Sequence, residues 1–277
     1  MEQWRVRPSP PARRPLSSTP PRDLPVVTLS VVALCVGVWL LQLAHGVPVM
    51  NAPPATVIDW GGSLPLYVLT GEPWRLVTAL FVHVDIVHLG LNMLVFGATA
   101  PHVERAFGAL PTLVVFLVGG ILANAGVVGW AALNAAPEHF GGLLQVLVGA
   151  SGGLMALLGA LLVPSLLARL GHAPYAEMFG PRIDSRLGWA IALNIGICFV
   201  IPGWNPTANI AGALAGIVVG TLLLAAPSHA GTTARLLRFA AVGLLLAACV
   251  GALARSGDRE FLGELRTQYD AWRASGK

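Results

Sequence analysis

Seven stretches of this chain are apolar over nearly the length a helix needs to cross a lipid bilayer. No other feature constrains the fold as strongly. A spanning helix requires about 20 predominantly apolar residues. The stretches occupy residues 25–44, 86–102, 111–133, 144–168, 187–203, 207–226 and 236–254. The first exceeds the roughly 7–15 apolar residues of a cleavable signal, so it reads as a retained helix. Composition agrees: 11% of the 277 residues are charged, 55% are hydrophobic, and the mean hydropathy is +0.72. A soluble domain carries roughly 25% charged residues. A soluble enzyme, a disordered chain and a disulfide-stapled secreted module are therefore excluded. The class that remains is all-α, a polytopic membrane helix bundle.

Residues 1–24 are rich in proline and hold Arg5, Arg7, Arg13, Arg14 and Arg22, which reads as a disordered cytoplasmic tail. Residues 25–226 form a six-helix membrane domain. His83 and Asp85 interrupt the apolar run that begins at Leu76, so the second span starts near Ile86 and leaves 47–85 as a long outer loop. Trp60, Trp74 and the apolar stretch 65–69 suit a loop resting among lipid headgroups. Residues 227–254 read as an inner loop and a candidate seventh transmembrane helix. The tail 255–277 carries Phe261, Leu262, Leu265, Tyr269 and Trp272 at helical spacing, either an amphipathic helix on the membrane surface or a loosely ordered end.

Charge sets the expected topology. With the N-terminus inside, the inner segments hold the arginines of the tail with Arg105, Arg169, Arg182, Arg186, Arg235 and Arg238, against Arg75 alone in the outer loops. Trp60, Trp74, Trp130 and Trp204 fall at outer ends. A seventh span puts Arg255, Arg259, Arg266, Arg273 and Lys277 outside, against that bias. The net charge of +4 thus marks cytoplasmic segments, not a nucleic-acid partner. Cys35, Cys198 and Cys249 lie in apolar runs and read as packing residues, so the sequence implies no disulfide, metal or cofactor.

Polar side chains inside hydrocarbon are costly and become functional candidates when they face protein or water. Three groups open the even-numbered spans: His83 to Met93, including His88 and Asn92; Gly149 to Gly153, around Ser151; and Asn205 to Asn209, followed by Gly212, Gly216 and Gly220. All three spans run inward, so Asn92, Ser151 and Asn209 sit within about 10 Å of the outer surface at ~1.5 Å per residue. His88 and Asn92 share a helix face, with His83 about 140° around the helix from His88. Ala208, Gly212, Gly216 and Gly220 form a small-residue stripe, and Gly152, Ala156 and Gly159 or Ala160 offer a comparable face. Close packing of the two would bring Ser151 toward Asn209. Taken alone, such stripes are ordinary membrane packing. Asn124, Gln145 and Asn194 read as helix–helix hydrogen-bond partners.

The run Gly71-Glu72-Pro73-Trp74-Arg75-Leu76 through His88-Leu89-Gly90-Leu91-Asn92-Met93 resembles the rhomboid intramembrane serine proteases. So do Glu104-Arg105-Ala106-Phe107-Gly108, Gly149-Ala150-Ser151-Gly152 and the glycine-striped sixth span, a match over residues 60–226. The resemblance implies a rhomboid-like six-helix core plus the seventh helix, a lipid-bilayer setting and a transmembrane protein as substrate or client. It implies Ser151 as nucleophile, and His88, Asn92 and the Ser151 backbone N–H as oxyanion-binding groups. Gly149, Gly152 and Gly212 fall at supporting positions, as do Trp74, Arg75 and Glu104, the last three shaping the outer loop and the inner end of the second helix.

One position departs. Catalytically competent rhomboids begin the sixth helix with Ala-His, the histidine being the general base, and here the pair is Ala208-Asn209. The seven histidines are His45, His83, His88, His102, His139, His172 and His229, none in the sixth span. An amide can bond the serine hydroxyl but cannot take its proton usefully. Two readings follow: a serine peptidase weakened or silenced at its base, and a pseudoprotease that binds transmembrane clients without cleaving them. A histidine codon is one base from an asparagine codon, so a variant of an active enzyme is a further alternative.

Overall fold

The computed structural model of the chain describes residues 24–171, 183–200, 206–224, 231–257 and 260–275. The tail over 1–23 lies outside them, as do Arg182, Trp204, Asn205, Arg259 and Lys277. Among the described residues there is no strand, only two isolated bridges, Ser63 with Leu147 and Ala136 with His139. The long helices are α1 (Val26–Ala44), α5 (Ile86–Phe107), α6 (Ala109–Leu133), α7 (Ser151–Arg169), α8 (Ile183–Val200), α9 (Pro206–Leu224) and α10 (Thr232–Ser256). Short helices α2 (Pro54–Asp59), α3 (Pro65–Leu69) and α4 (Arg75–Thr78) lie between α1 and α5, and α11 (Glu260–Ala274) ends the chain. Six of the long helices are long and apolar enough to cross a membrane; in α8 the apolar stretch Trp189–Val200 is shorter. Leu94, Leu133, Leu193, Leu214 and Leu244 point away from the bundle, an apolar outer surface that suits lipid.

The core forms where small residues let backbones meet. α7 lies between α6 and α9 and is buried without a break from Gly152 to Leu161. A Cβ added at Gly212 would stand 2.4 Å from the Gly152 carbonyl oxygen, and one at Gly216 would stand 2.1 Å from that of Ala156. On the other side, a Cβ at Gly119 would meet the Ala156 methyl at 2.3 Å. Only glycine permits these approaches. Around this centre Phe96, Phe116, Leu154 and Met155 fill the space left by the small residues.

α1 has no cap from its own side chains. Glu104, near the far end of α5, provides one: its carboxylate accepts the Val27 and Thr28 N–H groups at 2.7 and 2.9 Å and the Thr28 hydroxyl at 2.9 Å. A negative group at a helix N-terminus satisfies donors that have no intrahelical partner and complements the helix dipole. α5 is capped by Asp85, whose Oδ1 accepts the His88 N–H at 2.7 Å.

Three sequence expectations need correction. The fourth span does not start at 144. Residues 141–144 form a 3-10 turn, and the helix begins at Ser151 because Gly149 has φ +100° and gives its N–H to Ala79 O at 2.8 Å. Residues 65–69 do not rest among headgroups. They are buried as α3, with Leu66, Leu76 and Ile58 packed on Val128, Ala132 and Leu253 of α6 and α10. The tail forms a helix, but it lies on this loop and places Phe261, Leu262, Leu265 and Tyr269 in the same cluster. In each case a protein surface satisfies groups that the sequence alone assigned to helix or lipid.

Candidate functional site

Three helices start at one end of the bundle, and their first turns surround a cavity of about 370 Å³. Ser151, Asn209, His88, Asn92, Gly149 and Gly152 all line it. Ser151 is the first residue of α7, Asn209 the fourth of α9, and Asn92 lies two turns into α5. The extended backbone before Ser151 brings α7 to this depth, held by the paired hydrogen bonds between Ser63 and Leu147 at 2.9 and 2.8 Å.

Gly149 is where the polar groups meet. A Cβ there would stand 2.6 and 2.7 Å from Cε1 and Nε2 of His88 and 3.2 Å from Nδ2 of Asn92. The imidazole and the amide therefore lie directly on the backbone two residues before Ser151. Just beyond, the first N–H groups of α7 have no intrahelical acceptor, the usual setting for anion or carbonyl binding. The Asn92 Nδ2 is buried without a hydrogen-bond partner.

Asn209 is 4% exposed, and its amide turns toward α8. Nδ2 lies 3.2 Å from the Asn194 carbonyl oxygen and 3.2 Å from Cys198 Sγ, and Oδ1 has no partner. The carbonyl requires a donor opposite it, which fixes the amide orientation. No hydrogen bond joins Asn209 to Ser151 among the described residues. The sequence reading of Asn194 needs one refinement: its side chain bonds Ala190 O within its own helix, and its backbone carbonyl meets Asn209.

Among the described residues lining the cavity, the ionisable ones are Asp85, His88 and Cys198. His83 is not on the helix with His88. It precedes α5, and its ring meets the His88 ring edge-on with centroids 5.2 Å apart. Burial, and then the neighbouring His88, pushes the His83 imidazole down to about 3. His139 lines a separate cavity with Trp130 and Thr207. Among the described residues, no group of three or more His, Cys, Asp or Glu side chains is arranged to hold a metal ion.

The remaining residues singled out in the sequence stand apart from the cavity. Arg75 is buried, with Nη1 bonded to Ile58 O and Gly62 O at 2.6 and 2.9 Å and Nε to Glu72 at 2.7 Å. Trp74 is half-exposed against the Arg75 guanidinium, 4.5 Å from ring centroid to Cζ. Glu104 caps α1 at the other end of the bundle, and Gly212 seats α9 on Gly152. Asp85, Asn194 and Cys198 also line the cavity, beyond the site residues that the motifs mark. Two signals existed: Asp85 stands three residues before His88, an N-cap spacing, and Asn194 and Cys198 share a helix face at i, i+4.

Comparison with known proteins matches residues 70–226 to the Rhomboid domain family. The rhomboid protease GluP of Bacillus subtilis is 28% identical over 185 residues, 67% of this chain and 32% of that protein. Rhomboid-like protease 2 of Toxoplasma gondii is 28% identical over 200 residues, 71% of this chain and 62% of that protein. RHOMBOID-like protein 6, mitochondrial, of Arabidopsis thaliana is 32% identical over 175 residues, 61% of this chain and 48% of that protein. The chain thus spans from about a third to under two thirds of the length of these relatives. The family match covers more than half of the chain, and the apolar helices are those of an integral, multi-pass membrane protein. Helix order, the Gly149-Ala150-Ser151-Gly152 turn at the head of α7 and the sequence match agree, and the chain belongs to the rhomboid family.

Proposed function

We propose that this protein receives transmembrane segments of other membrane proteins at the cavity headed by Ser151, near the outer membrane face, and hydrolyses them weakly or not at all. Ser151 stands at the position of a nucleophile, with His88, Asn92 and its own backbone N–H placed to receive a substrate carbonyl. The observation that carries the reading is Asn209. Its amide nitrogen is committed to Asn194 O and Cys198 Sγ, and an amide oxygen cannot accept the hydroxyl proton as serine attacks. Among the described residues His88 is the imidazole that lines the cavity, and its place against Gly149 suits donation to an oxyanion rather than proton abstraction. Loss of the base alone costs on the order of 10⁶ in turnover in soluble serine proteases, with residual catalysis left from the oxyanion hole.

The experiment compares the unmodified chain, Asn209→His and Ser151→Ala in membranes containing a model transmembrane substrate. Serine-dependent cleavage is expected from Asn209→His and little from the unmodified chain. Equal turnover by the two would overturn the reading. Client binding by the unmodified chain, with no cleavage above that of Ser151→Ala, would favour the pseudoprotease form over a slow peptidase.

A further inference from the structure

The C-terminal helix α11 does not lie free on a membrane; it is fastened to the loop between α1 and α5 by a cluster of part-buried ionic contacts. Arg266 donates to Thr70 O at 3.0 Å and Thr70 Oγ1 at 2.9 Å, and it pairs with Glu72. Arg273 donates to Asp59 at 2.7 Å, Tyr67 Oη at 3.1 Å and Ala55 O at 3.2 Å. The Tyr67 hydroxyl in turn donates to Asp270, and the Arg266 guanidinium lies over the Tyr67 ring at 4.6 Å. Exposed ion pairs contribute little, as at Asp59, which is 66% exposed, but the other members are largely covered: Arg266 is 27% exposed, Glu72 20% and Arg273 18%. Charge-assisted bonds in such settings are stronger and more directional.

Backbone packing supplies an independent observation. At Gly257, the joint between α10 and α11, an added Cβ would stand 1.9 Å from Leu69 O. Gly257 is seated against the end of α3 with no room for a side chain.

The contacts continue into the site. Glu72 bonds Arg266 on one side and Arg75 Nε on the other, and Arg75 holds the carbonyls of Ile58 and Gly62. The next residue, Ser63, pairs with Leu147, which lines the cavity four residues before Ser151. We infer that α11 is an intramolecular clamp: through Glu72, a positioning residue, it holds the Ser63–Leu147 pairing and so the backbone that presents Gly149 and Ser151. The clamp acts on the cavity proposed above as the binding site, but its physical content is the order of that backbone and needs no substrate.

Hydrogen exchange of the full chain in lipid nanodiscs tests it, read at the amides of Ser63, Leu147 and Gly149. Arg266→Glu and Gly257→Leu each accelerate these amides by about fivefold or more, as expected when a local opening becomes easier by roughly 1 kcal/mol. Thr267→Ala, on the exposed face of α11, leaves them unchanged. If Arg266→Glu unfolds the bundle, visible as fast exchange in α7, Arg266→Gln reads the same amides with the charge removed and the bulk retained. Free exchange of α11 with unchanged protection at Ser63 and Leu147 would show a helix that clamps nothing and would overturn the inference. Neither cleavage nor client binding enters the measurement, so it stands or falls apart from the proposed function.

Discussion

At the residue scale, the polar side chains that shape this bundle are mostly bonded to protein, and two at the cavity keep an atom unbonded. Glu104 and Asp85 close helix ends, and Arg75 gathers loop carbonyls, while Asn92 Nδ2 and Asn209 Oδ1 are buried without partners. An unsatisfied buried polar atom costs roughly 1–3 kcal/mol, so a bundle that retains two around one cavity has left capacity for a ligand there. The motif residues were legible because short spacings carry them. The partners of Asn209 were not, because α8 and α9 meet only after folding. His83 gives a prediction at this scale. The unfolded chain takes up a proton near pH 6.5, whereas the folded imidazole, beside His88 and Asp85, resists it until about 3. Its burial as the neutral form therefore carries no proton-linked cost above pH 6.5 and destabilises the fold increasingly as pH falls from there toward 3, by about 1.4 kcal/mol per unit. Denaturation in detergent should show a loss of stability between pH 7 and 5 that is smaller by about 2 kcal/mol in His83→Phe. Identical pH profiles for the two chains would refute this.

At the element scale, the small-residue stripes are the decisive feature, and their meaning came from geometry. In sequence, Gly212, Gly216 and Gly243 all sit inside apolar runs. In the structure, a Cβ at Gly216 strikes the Ala156 backbone at 2.1 Å, whereas one at Gly243 meets nothing within 4 Å. Gly216→Ala should thus push α9 from α7 and destabilise the fold by about 3 kcal/mol. Gly243→Ala should be near neutral, or stabilising by up to about 1 kcal/mol from helix propensity. Unfolding midpoints of the two variants check the contrast, and equal effects would deny the backbone contact. Span starts are less legible in the sequence. Apolarity continues through residues 144–150, but the positive φ of Gly149 and its bond to Ala79 O end any helix there. Hydropathy does not register backbone conformation.

At the scale of the whole molecule, α11 bears on topology. Its arginines conflict with the positive-inside bias if the chain crosses the membrane after α9 and returns through α10. Arg266 and Arg273 are not free cations: they are paired with Glu72 and Asp59 of the loop on which they lie. A tag after Lys277 and a label at Gly141 should accordingly be reachable by impermeant reagents from the same side of the membrane, and a tag before Met1 from the other. Access to both termini from one side would overturn the arrangement. The sequence by itself determined the all-α membrane class, the rhomboid family and the departure at Asn209. Apolar runs of spanning length and short local motifs record these without reference to distant residues. Only the tertiary structure decided where α7 begins, what Asn209 bonds and where the C-terminal helix rests. Each depends on contacts between residues far apart in the chain, and such contacts leave no period in the sequence.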